Sequence, residues 1–213
     1  YRIAEVMEGR REQFISEVSD SEGVSSRKAG SHIDAAIDRW VWYAGWADKY
    51  AQVIGNTNPV AGPFFNFSVP EPTGVVAAVA PQDASISGLV SVVAPIIVTG
   101  NAVIVMPSSS RPIPAITLAE CLATSDVPAG VVNILTGAPA EVMPWLAEHA
   151  DVNALDLTGI VDEGVATDLE RSAAGTVKRV RGAAPHADWQ ATPSLSRMRA
   201  FVEVKTVWHP MGV

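Results

Sequence analysis

From residue 75 to residue 181 the chain keeps one rhythm: a short apolar run, a break, a helical pattern of about ten residues, then the next run. The strand-like runs fall at 75–80, 101–106, 131–136, 152–157 and 176–181, the first four largely apolar and the last mixed with Lys178, Arg179 and Arg181, with helical patterns at 87–99, 113–124, 140–149 and 164–173. Strands this apolar are covered on both faces, and a helix between successive strands makes them parallel. The spacing therefore predicts an α/β fold: a doubly wound, parallel, five-stranded sheet with helices on both sides.

The flanks lack that rhythm. Residues 1–50 read as two helices. The first, interrupted by Ser19-Asp20-Ser21-Glu22-Gly23, carries Ile3, Val6, Met7, Phe14, Ile15 and Val18. The second, over 27–50, carries a stripe of Ile33, Ala36, Ile37, Trp40, Val41, Ala44 and Ala47. Its aromatics Trp40, Trp42, Tyr43 and Trp46 fall where a helix buries a face, so packing explains them better than a ligand cage. Asn56-Thr57-Asn58-Pro59 and Pro70-Glu71-Pro72-Thr73-Gly74 carry turn chemistry. Between them, 64–69 alternates like a half-exposed strand. Residues 183–193 read as loop, and 201–208 as a last strand that must pair elsewhere in the fold or with another chain.

Composition excludes several classes. Lys+Arg 15 against Asp+Glu 23 gives a net charge of −8 without a basic stripe, which argues against nucleic acid or an anionic membrane as partner. Leu89 to Val105 is apolar enough to suggest a membrane span, but Pro95, Gly100 and Asn101 break it into a helix and a strand. The lone Cys121 rules out an intrachain disulfide framework and fits a reducing cytosol; its position on the apolar side of a helix predicts a buried small hydrophobe. The first residues lack a signal-peptide core, so the expected compartment is cytoplasmic. His32, His149, His186 and His209 lack metal-ligand spacing, and no metal is expected. Ser108-Ser109-Ser110 reads as a turn, and Gly137-Ala138-Pro139 lacks the lysine of a phosphate loop.

Several ordered motifs resemble the aldehyde dehydrogenase superfamily. They are Arg2-Ile3-Ala4-Glu5-Val6-Met7-Glu8-Gly9-Arg10-Arg11, Trp42-Tyr43-Ala44-Gly45-Trp46-Ala47-Asp48-Lys49, Pro81-Gln82-Asp83, and 100–108 from Gly100 to Ser108. Pro128-Ala129-Gly130-Val131-Val132-Asn133-Ile134-Leu135-Thr136-Gly137 and Leu155-Asp156-Leu157-Thr158-Gly159 complete the set. The resemblance implies a Rossmann-like core at 71–182, preceded by N-terminal helices and a strand at 1–70 and followed by a linker and oligomerisation strand at 183–213. It also places a vestigial cofactor site at Pro81, Met106, Ser108, Ser109, Gly137, Thr158, Gly159 and Gly164.

The departures from the family pattern carry the functional expectation. Asp83 stands where the family has an oxyanion-holding asparagine, and a carboxylate offers no donor there. Met106 replaces a lysine that grips the ribose, and Ser109 a glutamate that accepts from it. Ile160 replaces a serine beside the pyrophosphate, and Asp162 and Glu163 add negative charge nearby. Each lost partner costs about 1–3 kcal/mol. After Lys178-Arg179-Val180 the family continues to a general base and a nucleophilic cysteine, whereas this chain runs by a short loop to Ser196. The family strands that precede the first helix are not in this sequence.

These features imply a chain without a catalytic residue, with NAD bound weakly or not at all. The expected role is a non-catalytic subunit, joined to itself or to an active homologue through 201–208. The competing readings are an NAD-binding module and part of an NAD(P)-dependent enzyme that oxidises an aldehyde to a carboxylic acid.

Overall fold

In the computed structural model, which describes residues 1–212, the chain opens with α1 (Arg2–Gly9), α2 (Arg11–Glu22) and α3 (Ser26–Ala44). The first helical stretch carries an additional break at Arg10, and the expected interruption within 19–23 narrows to its last residue. α2 continues through Ser19 to Glu22, and Gly23 ends it in the left-handed conformation at φ 66°. Ser25 caps α3, accepting from the Lys28 N–H at 3.3 Å. α3 stops at Ala44 rather than Tyr50; turns over 45–49 lead into the short α4 (Tyr50–Ile54).

Both expected turns before the core prove to be strand over most of their length, with Pro59 and Thr73-Gly74 left outside the strands. β1 (Asn56–Asn58) pairs antiparallel with β2 (Phe64–Pro72). The amide of Asn58 donates to Asn66 Oδ1 at 2.6 Å and Ser68 Oγ at 2.9 Å, so its polar group serves the neighbouring strand instead of a local turn. β2 runs on through Pro70 and Pro72, beyond the reach of β1 at Ser68, where it has lost one neighbour and tolerates a missing N–H.

The core follows the expected rhythm: β3 (Val75–Val79), α5 (Ser87–Val98), β4 (Ala102–Met106), α6 (Ile113–Ala123), β5 (Val132–Ile134), α7 (Pro139–Glu148), β6 (Ala154–Asp156), α8 (Glu163–Ala174) and β7 (Arg179–Arg181). The five strands lie in the order β5-β4-β3-β6-β7, all parallel. Side chains alternate across the sheet as a two-residue period demands. Val76, Ala78, Val103 and Val105 face α1–α3, α5 and α6, whereas Ala77, Val79, Met106 and Leu155 face α7 and α8.

The chain ends in α9 (Ser196–Arg199) and β8 (Val202–Pro210). The expected strand at 201–208 is present, and its partner lies in the same chain. β8 pairs antiparallel with β2 from Phe64↔Pro210 to Pro72↔Val202, giving a small sheet in the order β1-β2-β8. Asn101, almost wholly buried, ties the two sheets together. Its Oδ1 accepts from Gly74 N at 2.8 Å and its Nδ2 donates to Phe201 O at 2.8 Å. Val213, the last residue of the 183–213 segment, lies outside the described residues. No helix among the described residues is long and apolar enough to cross a membrane.

Candidate active site

In an open parallel sheet, ligands sit beyond the carboxyl ends of the strands, where the strand order reverses. Here the chain starts at β3, winds out to β5, and returns to β6 on the other side. Pro81, Met106, Ser108, Ser109, Thr158 and Gly159 gather at those ends, with Gly137 following β5 and Gly164 in the first turn of α8.

A hydrogen-bond network joins the loops after β3 and β4. Gln82 Nε2 donates to Ala80 O at 2.8 Å, and its Oε1 accepts from Ser109 N at 3.0 Å and Ser109 Oγ at 3.2 Å. Ser108, almost fully buried, donates through Oγ to Gln82 O at 2.7 Å. The two serines therefore hold the loop, and Gln82 is the organising side chain. Sequence reasoning missed it because its partners lie 26 and 27 residues away. Pro81 is buried beneath α5, where a Cβ on Gly88 would come within 2.8 Å of Pro81 Cγ. Asp83 is exposed at the mouth of this loop.

Met106 faces the interior. It has no exposed surface and packs with Ala77, Val79, Met143, Leu155 and Leu157. Gly137, at φ 143°, approaches it so that a Cβ there would lie 4.0 Å from Met106 Cε. At Gly159 a Cβ would collide with the Ala80 carbonyl, only 2.5 Å from its carbon, and the Gly159 N–H donates to Val79 O at 2.9 Å. Glycine is thus required for β6 to close against β3.

The start of α8 is already capped. Asp162 Oδ1 accepts from the Val165 N–H at 3.0 Å, and Glu163 occupies the first turn. Both carboxylates complement the positive end of the helix, so an incoming phosphate meets negative charge and one donor already engaged. A Cβ on Gly164 would lie 3.1 Å from Asp162 Oδ1, and Ile160 is buried with Met106. Thr158 is fully buried; its N–H donates to Asp156 Oδ1 at 3.0 Å and its Oγ1 accepts from Arg197 Nη2 at 3.2 Å.

Cys121 has no exposed surface and lies on α6, on the face of the sheet opposite Met106. Burial pushes its thiol up, opposed by Arg10, whose Nη1 is 4.0 Å from the sulfur. Such a thiol is a packing group, not a nucleophile. His32 pairs with Glu22 at 3.0 Å, and no group of metal-ligating side chains occurs among the described residues.

Comparison with known proteins agrees with this architecture. The family model described as aldehyde dehydrogenase family matches residues 1–183. The chain is similar to the cytosolic 10-formyltetrahydrofolate dehydrogenase of Xenopus tropicalis, at 32% identity over 84% of this chain and 20% of that protein. It is also similar to the putative aldehyde dehydrogenase DhaS of Bacillus subtilis, at 29% identity over 84% of this chain and 36% of that protein. Among solved structures, an NAD+ complex of an aldehyde dehydrogenase from Bacillus cereus superposes with a TM-score of 0.78 at 25% identity. That match covers 84% of this chain and 36% of the other. An NAD-dependent aldehyde dehydrogenase from Sinorhizobium meliloti gives 0.77 at 30% identity, covering 84% and 35%. The chain thus spans between 20% and 36% of the length of these relatives. With the family pattern running through 183 of its 213 residues and the matching sheet beneath it, the chain belongs to the aldehyde dehydrogenase family.

Proposed function

We propose that this chain acts as a non-catalytic aldehyde dehydrogenase-like subunit that assembles with itself or with an active homologue. The observation that carries the reading is the small sheet. β8 is its last strand, and the outer edge of β8 has no strand partner among the described residues. Val204 and Trp208 are exposed along it, with Phe64 packed edge-on against Trp208 at 5.7 Å between centroids. An unpaired edge offers backbone donors and acceptors to another chain, and the exposed aromatics supply apolar area.

The cleft supports the non-catalytic half. Asp83 presents a carboxylate where an oxyanion needs a donor. Met106 is sealed in the core, Asp162 caps the helix that would face a pyrophosphate, and the lone thiol is buried. The test is native mass spectrometry of the protein from its source, together with aldehyde-dependent NAD reduction by the purified chain. A homo- or hetero-oligomer without turnover is expected. A monomer, or measurable oxidation of any aldehyde by the chain alone, rejects the reading.

A second reading, a module that binds NAD without chemistry, draws on Gly159, whose close approach to Ala80 keeps the turn at the switch point. Micromolar NAD binding by calorimetry would favour it.

A further inference from the structure

The loop after β7 folds back over α3 and roofs a cavity of about 170 Å3. Arg39, Arg181, Arg197, Tyr43, Ser91 and Trp189 line it. Three guanidinium groups therefore converge on one half-open pocket, and their partners do not balance them.

Arg39 is almost wholly buried on α3. Its Nη1 donates to Ser91 Oγ and, at 2.8 Å, to Trp189 O; its Nη2 donates to Ala191 O at 2.6 Å. All three acceptors are neutral, and Arg39 Nε is buried without any. Arg181, at the end of β7, has a buried Nε that also lacks an acceptor, and no ion pair forms to it among the described residues. Arg197 does have a partner: its Nη1 lies 3.2 Å from Asp156 Oδ2, with the guanidinium over the Trp189 ring at 5.2 Å. The Trp189 Nε1 is a third buried donor left without an acceptor.

The carboxylates at this cavity are Asp156, which is fully buried and engaged with Arg197 and Thr158 N, and Asp188 on the exposed rim. Three cations against two anions leave one positive charge in excess. Burial pushes the Arg39 and Arg197 guanidinium groups down from their ordinary value, and Arg181 adds repulsion at Arg197. A buried cation and buried N–H groups without acceptors are costly, and an anion relieves both costs together.

We propose that this cavity binds a small oxyanion of phosphate size, held by Arg39, Arg181 and the Trp189 indole N–H. Planar guanidinium forks match the paired oxygens of such an ion, and bonds to it are charge-assisted. The volume admits a tetrahedral oxyanion with a few waters, each taking about 30 Å3. Inorganic phosphate and the phosphate group of a small metabolite share this chemistry. The site is separate from the assembly edge on β8 and stands whether or not that edge docks a partner.

The test titrates the full chain by calorimetry with inorganic phosphate and with glycerol 3-phosphate, at constant ionic strength against a chloride control. Saturable binding of phosphate identifies the free ion as occupant; binding of the monoester alone identifies a metabolite headgroup. Arg181→Gln should weaken either about 10-fold or more. Because Arg181 has no protein partner, the same substitution should leave the ligand-free melting temperature unchanged or raise it. Arg39→Lys, which keeps the charge and loses the fork, should also weaken binding. No saturation by either probe up to about 10 mM, or saturation unaltered by Arg181→Gln, overturns the proposal.

Discussion

Replacing Gly159 with alanine separates a structural glycine from one retained for a ligand. The new Cβ would lie 2.5 Å from the Ala80 carbonyl carbon and 2.9 Å from Val79 O, both backbone atoms of the neighbouring strand end. The Ala80 carbonyl oxygen lies closer still, and non-bonded heavy atoms prefer about 3.5 Å, so the β3 and β6 ends must part by more than about 1 Å. Overpacking of this kind costs about 1–3 kcal/mol. Parting the strands also breaks the Gly159 N–H bond to Val79 O, now 2.9 Å, for about 1 kcal/mol more. A loss near 3 kcal/mol, divided by a urea slope of about 2 kcal/mol/M, moves the unfolding midpoint down by roughly 1.5 M. Gly9→Ala is the control, since nothing lies within 4 Å of its Cβ position and alanine favours a helix. The experiment uses ligand-free protein. If Gly159→Ala shifts the midpoint by less than about 0.3 M at an unchanged slope, the packing argument is wrong.

Three further outcomes follow from the same geometry. Met106→Lys places an unpaired ammonium among Val79, Met143 and Leu155, and should cost about 4 kcal/mol in urea unfolding; near-wild-type stability would mean the side chain reaches the cleft. Cys121 should react with iodoacetamide at least about 100-fold more slowly in the folded protein than in denaturant, because it is buried and its thiol is pushed up; equal rates would refute this. The hydrogen bond from Arg11, 2.7 Å from Asp34, holds the Asp34 carboxyl below the usual carboxylate range. A depressed folded value gives stability that is present above about pH 4 and lost as pH falls through it. The difference between wild type and Asp34→Asn should therefore be under about 1 kcal/mol at pH 7 for so exposed a pair, and should shrink as pH falls below about 4 and through the depressed folded value; a difference that widens in acid would reverse the assignment.

The parallel sheet was legible because its central strands β3, β4 and β6 are largely apolar and the chain is punctuated by Pro81, Gly100, Gly137 and Gly159. Such runs need little tertiary context to be read. β1 was not legible, since Asn56-Thr57-Asn58 has no intrinsic strand preference and becomes one only because β2 lies alongside. The prolines of β2 misled for the same reason: whether Pro70 and Pro72 break a strand depends on whether a neighbour needs their N–H. The split at Arg10 follows Gly9, a single glycine without the cluster of turn residues seen at 19–23. In the cleft, the residues at the strand ends could be placed from motifs, but the inward aim of Met106 depends on α7 and α8 covering that face. Arg39 gave no signal at all. Its role depends on Trp189 and Ala191 returning to it from 150 and 152 residues away.

The pairing of β8 with β2 bears on how the protein is made. Their partners are separated by 130 to 146 residues, so β1 and β2 emerge from the ribosome long before the strand that completes their sheet. Contacts this distant in sequence form late, after the nearer ones around β3 and β4. Until then β2 presents an open flank bearing Phe64, Phe65 and Phe67, the type of surface that recruits another strand. A nascent chain of this design passes through a window in which a neighbour's strand can occupy the place later filled by its own.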